Sequence, residues 1–361
     1  MFKVLFVSDS LGSGGAQRQM VTLAIGLKER GCDVSFLVYH DIDFFKNDLI
    51  ANNIPIHHLR EKNKVNRLFK IRKFIRSGNF DVVQSFLEPV NFACTLASLP
   101  FKQWKLIVGE RSSDPKILKS NKRKLFRWFH LFADNVVSNS YENINIVKKI
   151  NPFLSAKKTK VIYNIIDFQR WQVSDTYLPM KNGKINIVVA ASHQYLKNAK
   201  GLIETLNHLT SEELNRLNIK WYGDESPDSS FKDAFELVEK YKLHSVIKFH
   251  DATNKIHEIM AESDVVALFS LYEGLPNTVC EGMAVGKVVI SSNVSDVPIL
   301  LGKTKELLFN PKDINEIAKV LRTLIKMNKS EMLSIGSYNR KRAKDLFNKE
   351  NNINKYLNIY D

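Results

Sequence analysis

The sequence predicts an α/β protein whose strands form parallel, doubly wound sheets. Three observations carry this. An apolar strand, Lys3 to Ser8, runs into the loop Leu11-Gly12-Ser13-Gly14-Gly15, a helix and a second strand, Val34 to Tyr39. That β-loop-α-β opening is the unit from which parallel sheets are wound. A strand pattern restarts at Ile185 to Ala191, beyond a polar segment, Gln172 to Gly183, that contains Pro179. The 361 residues are also enough for two domains.

The elements follow in order. Ala16 to Arg30 is amphipathic, with Met20, Leu23, Ala24 and Leu27 at helical spacing and a stop at Gly31. Ile54-Pro55-Ile56 reads as the third strand, Leu68 to Arg76 as a basic helix, and Asp81 to Phe86 as the fourth strand. Leu106-Ile107-Val108 is a strand that exits into Gly109 to Pro115. In Lys116 to Phe132, six Lys and Arg alternate with Leu125, Phe126, Trp128, Phe129, Leu131 and Phe132. A basic helix with aromatics on its other face predicts contact with an anionic membrane surface. The alternative is a core helix with a solvated charged face. Asp134 to Ser140 and Val161 to Asp167 read as strands. In the second half the strands are Ile185 to Ala191, Ile219 to Gly223, Val246 to His250, Asp264 to Leu268 and Lys287 to Ser291, with Leu307 to Phe309 apolar. Helices are predicted over 230–242, 256–261, 314–327 and 329–360.

Composition narrows the class. Hydrophobic residues make up 44% of the chain, which is globular. Cys32, Cys94 and Cys280 are odd in number and far apart, as in a reducing compartment, with no disulfide or zinc framework. The apolar run in MFKVLFVSDS is too short for a signal peptide, and no stretch reaches the roughly 18 apolar residues of a spanning helix. The expectation is a cytoplasmic protein, peripheral at the inner face of the membrane. Residues 1–170 hold 28 Lys and Arg against 14 Asp and Glu, so they carry +14 of the net +15. Such a half-chain asymmetry implies an anionic partner. No helix-turn-helix, zinc or RNP motif accompanies the charge, so the membrane is favoured over nucleic acid.

The chemistry centres on Ser270 to Ile290, SLYEGLPNTVCEGMAVGKVVI. The breakers of Glu273-Gly274-Leu275-Pro276-Asn277 end a strand. A helix is predicted from Pro276 to Val285, with Gly286 as its stop. Helix-start amides attract anions and polyhydroxyl ligands, and ionised carboxylates accept hydrogen bonds from sugar hydroxyls. Glu273 and Glu281 are therefore candidate ligand groups; otherwise they are a dipole charge and a solvated helix residue. The glycines near residue 14 let amides approach a diphosphate. Their order, GxGG, is not the dinucleotide fingerprint GxGxxG, which disfavours an NAD dehydrogenase. Asp41-Ile42-Asp43 imitates a metal-binding DxD, but a loop after the second strand is the plainer reading, and no metal is assigned.

The block EGLPN…EGMA.GK.VI resembles the signature of the retaining glycosyltransferases of family 4, which have the GT-B fold. The resemblance covers essentially the whole chain. It implies two Rossmann-like domains facing a central cleft: an acceptor-side domain over 1–171, a linker over 172–183, and a nucleotide-sugar domain over 184–335. The helix 336–361 then crosses back to the first domain. On the donor side it implies that Glu273 and Gly274 to Asn277 hold the sugar and that Glu281 holds the ribose. Lys197 grips the diphosphate, and Asp251 begins the loop facing the base. Ser192 or His193 falls where the family has Arg, so His193 or Lys200 is the candidate replacement. GSGGAQRQ resembles the family's GGAER loop, with Gly14 and Gly15 lining the donor and Gln17 where Glu is usual. On the acceptor side, Gln84 and Ser85 stand where many members have His, and Arg111 lies in a segment like SERN.P. Glu273 and Lys197 are the residues implied to act in catalysis.

The function implied is transfer of a hexosyl or N-acetylhexosaminyl group, with retention, from a nucleotide sugar to an acceptor hydroxyl. The donor is expected to be UDP-linked, with no metal or other cofactor. The acceptor is expected to be a polyprenyl-diphosphate-linked glycan of cell-surface polysaccharide or O-antigen synthesis. Two alternatives use the same features differently: a UDP-sugar 2-epimerase of the same fold, and a non-catalytic basic adaptor for membrane or nucleic acid.

Overall fold

Each half of the chain builds its own all-parallel sheet, because its strands are joined by helical crossovers rather than tight turns. The computed structural model describes residues 1–361 apart from the side chain of Asn182. The chain divides into two units, Met1–Ile165 with Asn348–Asp361, and Ile166–Phe347.

The first unit runs β1 (Lys3–Val7), α1 (Gly15–Glu29), β2 (Asp33–Val38), α2 (Lys46–Ala51), β3 (Ile56–His58), α3 (Lys64–Ser77) and β4 (Val82–Ser85). It continues with α4 (Glu88–Ser98), β5 (Lys105–Glu110), α5 (Asn121–Trp128), β6 (Asn135–Ser138), α6 (Tyr141–Ile150) and β7 (Thr159–Val161). The sheet order is β3-β2-β1-β4-β5-β6-β7. The second unit runs β8 (Ile185–Ala190), α7 (Ala199–Leu206), α8 (Ser211–Asn215), β9 (Leu217–Tyr222), α9 (Ser230–Lys240), β10 (Ile247–His250) and α10 (Ile256–Ala261). After these come β11 (Val265–Leu268), α11 (Asn277–Ala284), β12 (Val288–Ser292), α12 (Val297–Leu301), β13 (Leu308–Phe309), α13 (Ile314–Lys326) and α14 (Lys329–Phe347). Its order is β10-β9-β8-β11-β12-β13. The last helix, α15 (Lys349–Tyr360), belongs to the first unit.

Most strands stand where the apolar runs placed them, and several boundaries move for local reasons. The predicted helix 329–360 is two helices, broken at Asn348, whose side chain caps α15 by accepting from Asn351 N. The return to the first unit therefore starts at Lys349, not at 336. It packs tightly on α1: a Cβ on Gly26 would come within 2.1 Å of Ile353 Cδ1. The third strand begins after Pro55, which has no N–H to donate; its carbonyl accepts from Phe36 N. The strand expected over 161–167 ends at Val161. Lys116 to Phe132 is not one helix but a 3₁₀ turn, α5 and a second 3₁₀ turn.

Tyr177, in the segment expected as linker, is fastened to the second unit. Its hydroxyl donates to Asp264 Oδ1 at 2.9 Å, and its ring lies 2.9 Å from Lys287 Nζ. Lys287 is 1% exposed, and its Nζ has no hydrogen-bond partner among the described residues. Burial pushes its pKa from the usual 10.5 down to about 7, with Glu262 and Asp264 opposing. The unfolded chain therefore holds more protons than the folded one between about pH 7 and 10.5. Stability is penalised below that window and rises with pH through it. Lys287→Met is expected to stabilise the protein at pH 7 by on the order of 3 kcal/mol and to flatten this slope. Urea midpoints from pH 6.5 to 9.5 measure it, and parallel curves for the two proteins would refute it.

Candidate active site

In the second sheet β8 lies between β9 and β11, so the strand order reverses there. Open parallel sheets bind ligands outside their carboxyl ends at such a point. The exits of β8 and β11 meet at that place because their strands are paired in register, Val265 with Ile187 through Ala267 with Val189. Leu271 N donates to Leu196 O at 2.9 Å, which ties the two loops together. On one loop a 3₁₀ turn, Tyr195–Lys197, presents Lys197; on the other stands Glu273. Lys197 Nζ lies 2.6 Å from Glu273 Oε1, with the side chains 20% and 14% exposed. The structure thus brings together the two residues predicted to act in catalysis, 76 positions apart.

Gly274 to Asn277 continue from Glu273 into α11. The carbonyl of Gly274 accepts from Ser295 Oγ, and Leu275 and Pro276 are buried. Pro276 is the N-cap rather than the first helical residue, and its side chain makes no capping hydrogen bond. Thr278 Oγ1 donates to Ala190 O at 2.7 Å, fixing the first turn of α11 to the end of β8. A Cβ on Gly282 would come within 2.7 Å of Val266, so only glycine lets α11 lie this close to β11. Glu281, half-buried, precedes that glycine. Gly286 ends the helix with φ +70°, as its sequence position predicts. Arg340 then donates to Ala284 O at the helix's carboxyl end. Asp251 is exposed, directly after β10. Beside it the rings of Tyr222 and His250 stack at 4.7 Å and 16°. Desolvation, with Lys220 and Lys248 acting in the same direction, lowers the His250 pKa.

His193 and Lys200 differ from the expectation. His193 is 4% exposed, its ring 4.6 Å from Phe231 and 5.3 Å from Phe249, and burial lowers its pKa, which disfavours the charged form. Lys200 Nζ lies 3.8 Å from Glu204 on the surface of α7. Both line a cavity that contains neither Lys197 nor Glu273.

Gly14, Gly15, Gln84, Ser85 and Arg111 belong to the first unit. Gly14 and Gly15 open α1 after β1, where that sheet's own strand order reverses between β1 and β4. Gln17 Nε2 donates to Asp9 Oδ1 at 3.3 Å, and a Cβ on Gly14 would meet Gln17 Oε1 at 2.4 Å. Gln84 and Ser85 are fully buried and do not form an open acceptor surface. Gln84 Oε1 accepts from Tyr360 of the return helix, and Ser85 Oγ donates to Asn91 Oδ1 at 2.7 Å. Arg111 makes no ion pair with Glu110 or Asp114. Its guanidinium donates to Asn164 Oδ1 at 3.1 Å and Tyr356 Oη at 2.9 Å, and it stacks 4.0 Å from the Phe86 ring centroid.

Sequence reasoning missed a buried charge network behind Arg111. Glu110 accepts from Arg127 Nη2 at 2.8 Å and lies 2.7 Å from His130 Nε2, and Arg127 also reaches Glu88. Arg123 joins Glu88 at 2.9 Å and Asp114 at 2.7 Å. Burial pushes Glu110 up, but Arg127 and His130 outweigh it and hold its pKa below the usual carboxylate range. Two of the expected membrane-facing cations, Arg123 and Arg127, therefore point into the protein. The partners are 9 to 39 positions apart, and no helical or strand periodicity joins them. Asp41 lies 3.5 Å from His58 Nδ1, and Asp43 pairs with Lys46 at 3.1 Å. Among the described residues no His, Cys, Asp and Glu group of three or more could hold a metal.

Both halves of the chain are similar to known proteins. A family model described as Glycosyltransferase Family 4 matches residues 13–170, and one described as Glycosyl transferases group 1 matches residues 184–327. The chain is 24% identical over 308 residues to a GalNAc-alpha-(1->4)-GalNAc-alpha-(1->3)-diNAcBac-PP-undecaprenol alpha-1,4-N-acetyl-D-galactosaminyltransferase of Campylobacter jejuni, covering 81% of this chain and 80% of that one. It is 25% identical over 307 residues to a capsular polysaccharide biosynthesis glycosyltransferase, CapH, of Staphylococcus aureus, covering 82% of each. Among solved structures, Anabaena HepE in complex with UDP and glucose matches with a TM-score of 0.84 and 18% identity over 99% of both chains. These matches place the two Rossmann-like units in the GT-B fold.

Proposed function

The chain belongs to the glycosyltransferases, with a family 4 domain in its first half and a group 1 domain in its second, and from that premise we propose a retaining transferase that moves a sugar from a UDP-linked donor to a lipid-linked glycan. The observation that carries this reading is the Lys197–Glu273 pair at the switch point of the second sheet, beside the start of α11. When the acceptor hydroxyl forms its bond to the anomeric carbon, the bond to the nucleotide's phosphate oxygen breaks. The leaving diphosphate gains charge, and the acceptor loses a proton. Lys197 and the first amides of α11 meet that charge, so no metal is needed. The leaving phosphate oxygen takes the proton. Glu273 accepts hydrogen bonds from donor-sugar hydroxyls, and Glu281 accepts from the ribose.

The acceptor class follows the relatives: two Campylobacter jejuni proteins are named for sugar transfer onto diphospho-undecaprenol-linked glycans. We assign this chain to the same kind of step in bacterial surface-polysaccharide synthesis. A panel of nucleotide sugars tests the donor, because a ligand that binds only the folded protein raises its melting temperature. Stabilisation by a UDP-sugar and a product of unchanged anomeric configuration are expected. A chain that no nucleotide sugar stabilises, or a product of inverted configuration, would refute the reading.

The lipid-linked acceptor implies a membrane surface, and the region around α5 supports that. No described helix is long and apolar enough to cross a membrane. Leu125, Trp128 and Phe132 are 51%, 39% and 48% exposed, next to exposed Lys116, Lys119 and Lys122. This mixture suits the interface of an anionic leaflet, where each cation contributes about 1 kcal/mol. The protein is then peripheral at the cytoplasmic face. It should float with phosphatidylglycerol vesicles at low salt, and Trp128→Ala with Lys122→Ala should release it. Equal flotation of wild type and variant would refute this surface.

A further inference from the structure

His193 and Lys200 line a cavity of about 410 Å³ in the second unit, bordered by Tyr195 of the turn that presents Lys197. We propose that this cavity is a second saccharide-binding site, taking a neutral pyranose ring, and that its occupancy is felt at Lys197. The saccharide site stands on the cavity alone; the coupling rests on the donor role proposed for Lys197.

The walls are the first turns of α7, α9 and α13. The interior is apolar and aromatic: the Phe231 ring stands 4.6 Å from that of His193, and Leu271 and Ile314 face the same space. His193 Nδ1 is buried and has no hydrogen-bond partner among the described residues. A neutral imidazole offers one donor and one acceptor, which suits a hydroxyl. The rim sets Lys200 and Lys312 against Glu204 and Asp233, so its formal charge is zero. A phosphate or a polycation gains nothing from such a rim. Hydroxyl groups, which both donate and accept, match the mixture. Tyr195 lies at the edge with 72% of its surface exposed, a flat apolar face for the C–H side of a sugar ring. The volume falls within the range of small-molecule sites, roughly 300–1,000 Å³.

The coupling is built into the turn. Tyr195 N donates to Asp228 Oδ2 at 3.1 Å, Leu271 N donates to Leu196 O at 2.9 Å, and Asn198 Nδ2 donates to Pro311 O at 2.8 Å. Asp228 just before α9, Leu271 at the exit of β11 and Pro311 just before α13 thus hold the residues on either side of Lys197. A ligand that shifts those segments shifts the ammonium that meets Glu273. Such coupling is reciprocal: a saccharide that changes nucleotide-sugar affinity has its own affinity changed by the same factor.

The test titrates the full-length protein, without nucleotide, with the methyl glycosides of glucose, galactose and N-acetylglucosamine, read by saturation-transfer NMR and calorimetry. At least one should bind with a Kd of about 1–10 mM. Tyr195→Ala, a surface change, should weaken it by roughly three- to tenfold. Ala234→Phe, which fills the cavity, should abolish it. Nucleotide-sugar affinity, measured without glycoside, should stay within about twofold in Tyr195→Ala. No binding by about 50 mM, or binding that both variants leave intact, would overturn the site. Glycoside binding that leaves the wild type's nucleotide-sugar Kd unchanged would overturn the coupling. If the wild type binds glycoside but no nucleotide sugar, the transferase reading fails while the saccharide site stands.

Discussion

Glu273→Ala and Lys197→Ala should each lower kcat/KM for sugar transfer by roughly 10²–10³-fold, the usual loss when one electrostatic contact to a developing charge is removed. The two side chains touch at 2.6 Å, and each neutralises the other in a site where both are largely shielded from water. Removing either one leaves the other without its partner there. The double variant should therefore lose much less than the product of the two single losses, because each single change already disables the pair. The two singles should differ in kind. Glu273→Ala removes hydrogen bonds to the sugar and should discriminate poorly between donors that differ in a hydroxyl. Lys197→Ala removes charge from the diphosphate and should weaken the nucleoside diphosphate product as strongly as the donor. Steady-state kinetics with two donor sugars, and product inhibition, separate these. Full activity in either variant would overturn the assignment.

Arg127→Met is expected to destabilise the first unit by about 3–5 kcal/mol, although Arg127 lies outside the donor site. Its guanidinium is fully buried between Glu110 and Glu88, and Glu110 is itself only 2% exposed. Removing the cation leaves Glu110 with His130 alone and Glu88 with Arg123, so part of the cost of burying the carboxylates goes uncompensated. The loss should depend on pH. Glu110 has a folded pKa below its usual 4.5, so its contribution is present above that value and fades as pH falls through the folded pKa. Wild type and Arg127→Met should therefore converge in stability as pH drops toward 3. Guanidinium midpoints at pH 7 and pH 3.5 measure both effects. An equal gap at the two values would show that Glu110 is not the group at stake. Arg111 follows Glu110 directly in the chain, so the network also holds the segment expected to face the acceptor.

Much of the site could be read from the chain because its parts are local. The run from Glu273 to Gly286 contains the loop, the helix start, the second glutamate and the left-handed stop, and each has a residue type that suits only a few backbone conformations. Lys197 is legible only through the resemblance of its segment to the family's diphosphate-gripping one; by itself it reads as a surface lysine. The misreadings share a different cause. The resemblance puts His193 where the family has a cleft arginine, but the rings of Phe231 and Phe249, distant in the chain, enclose its side chain. Gln84 and Ser85 end an interior strand, where the burial of both faces is decided by the helices that cover it, including one whose Tyr360 is 276 positions away. The arginines of α5 looked like a solvated or membrane face because charge alone does not show whether a partner waits inside.

The sequence alone determined the alternation of strands and helices, the restart of the pattern at Ile185, and the two-glutamate loop, because periodicity, breakers and caps act over a few residues. Tertiary structure alone decided that Lys197 meets Glu273, that Arg127 is buried against Glu110, and that the chain's last helix packs on its first. Those contacts join residues tens to hundreds of positions apart, and their energy depends on burial and on which strands lie side by side.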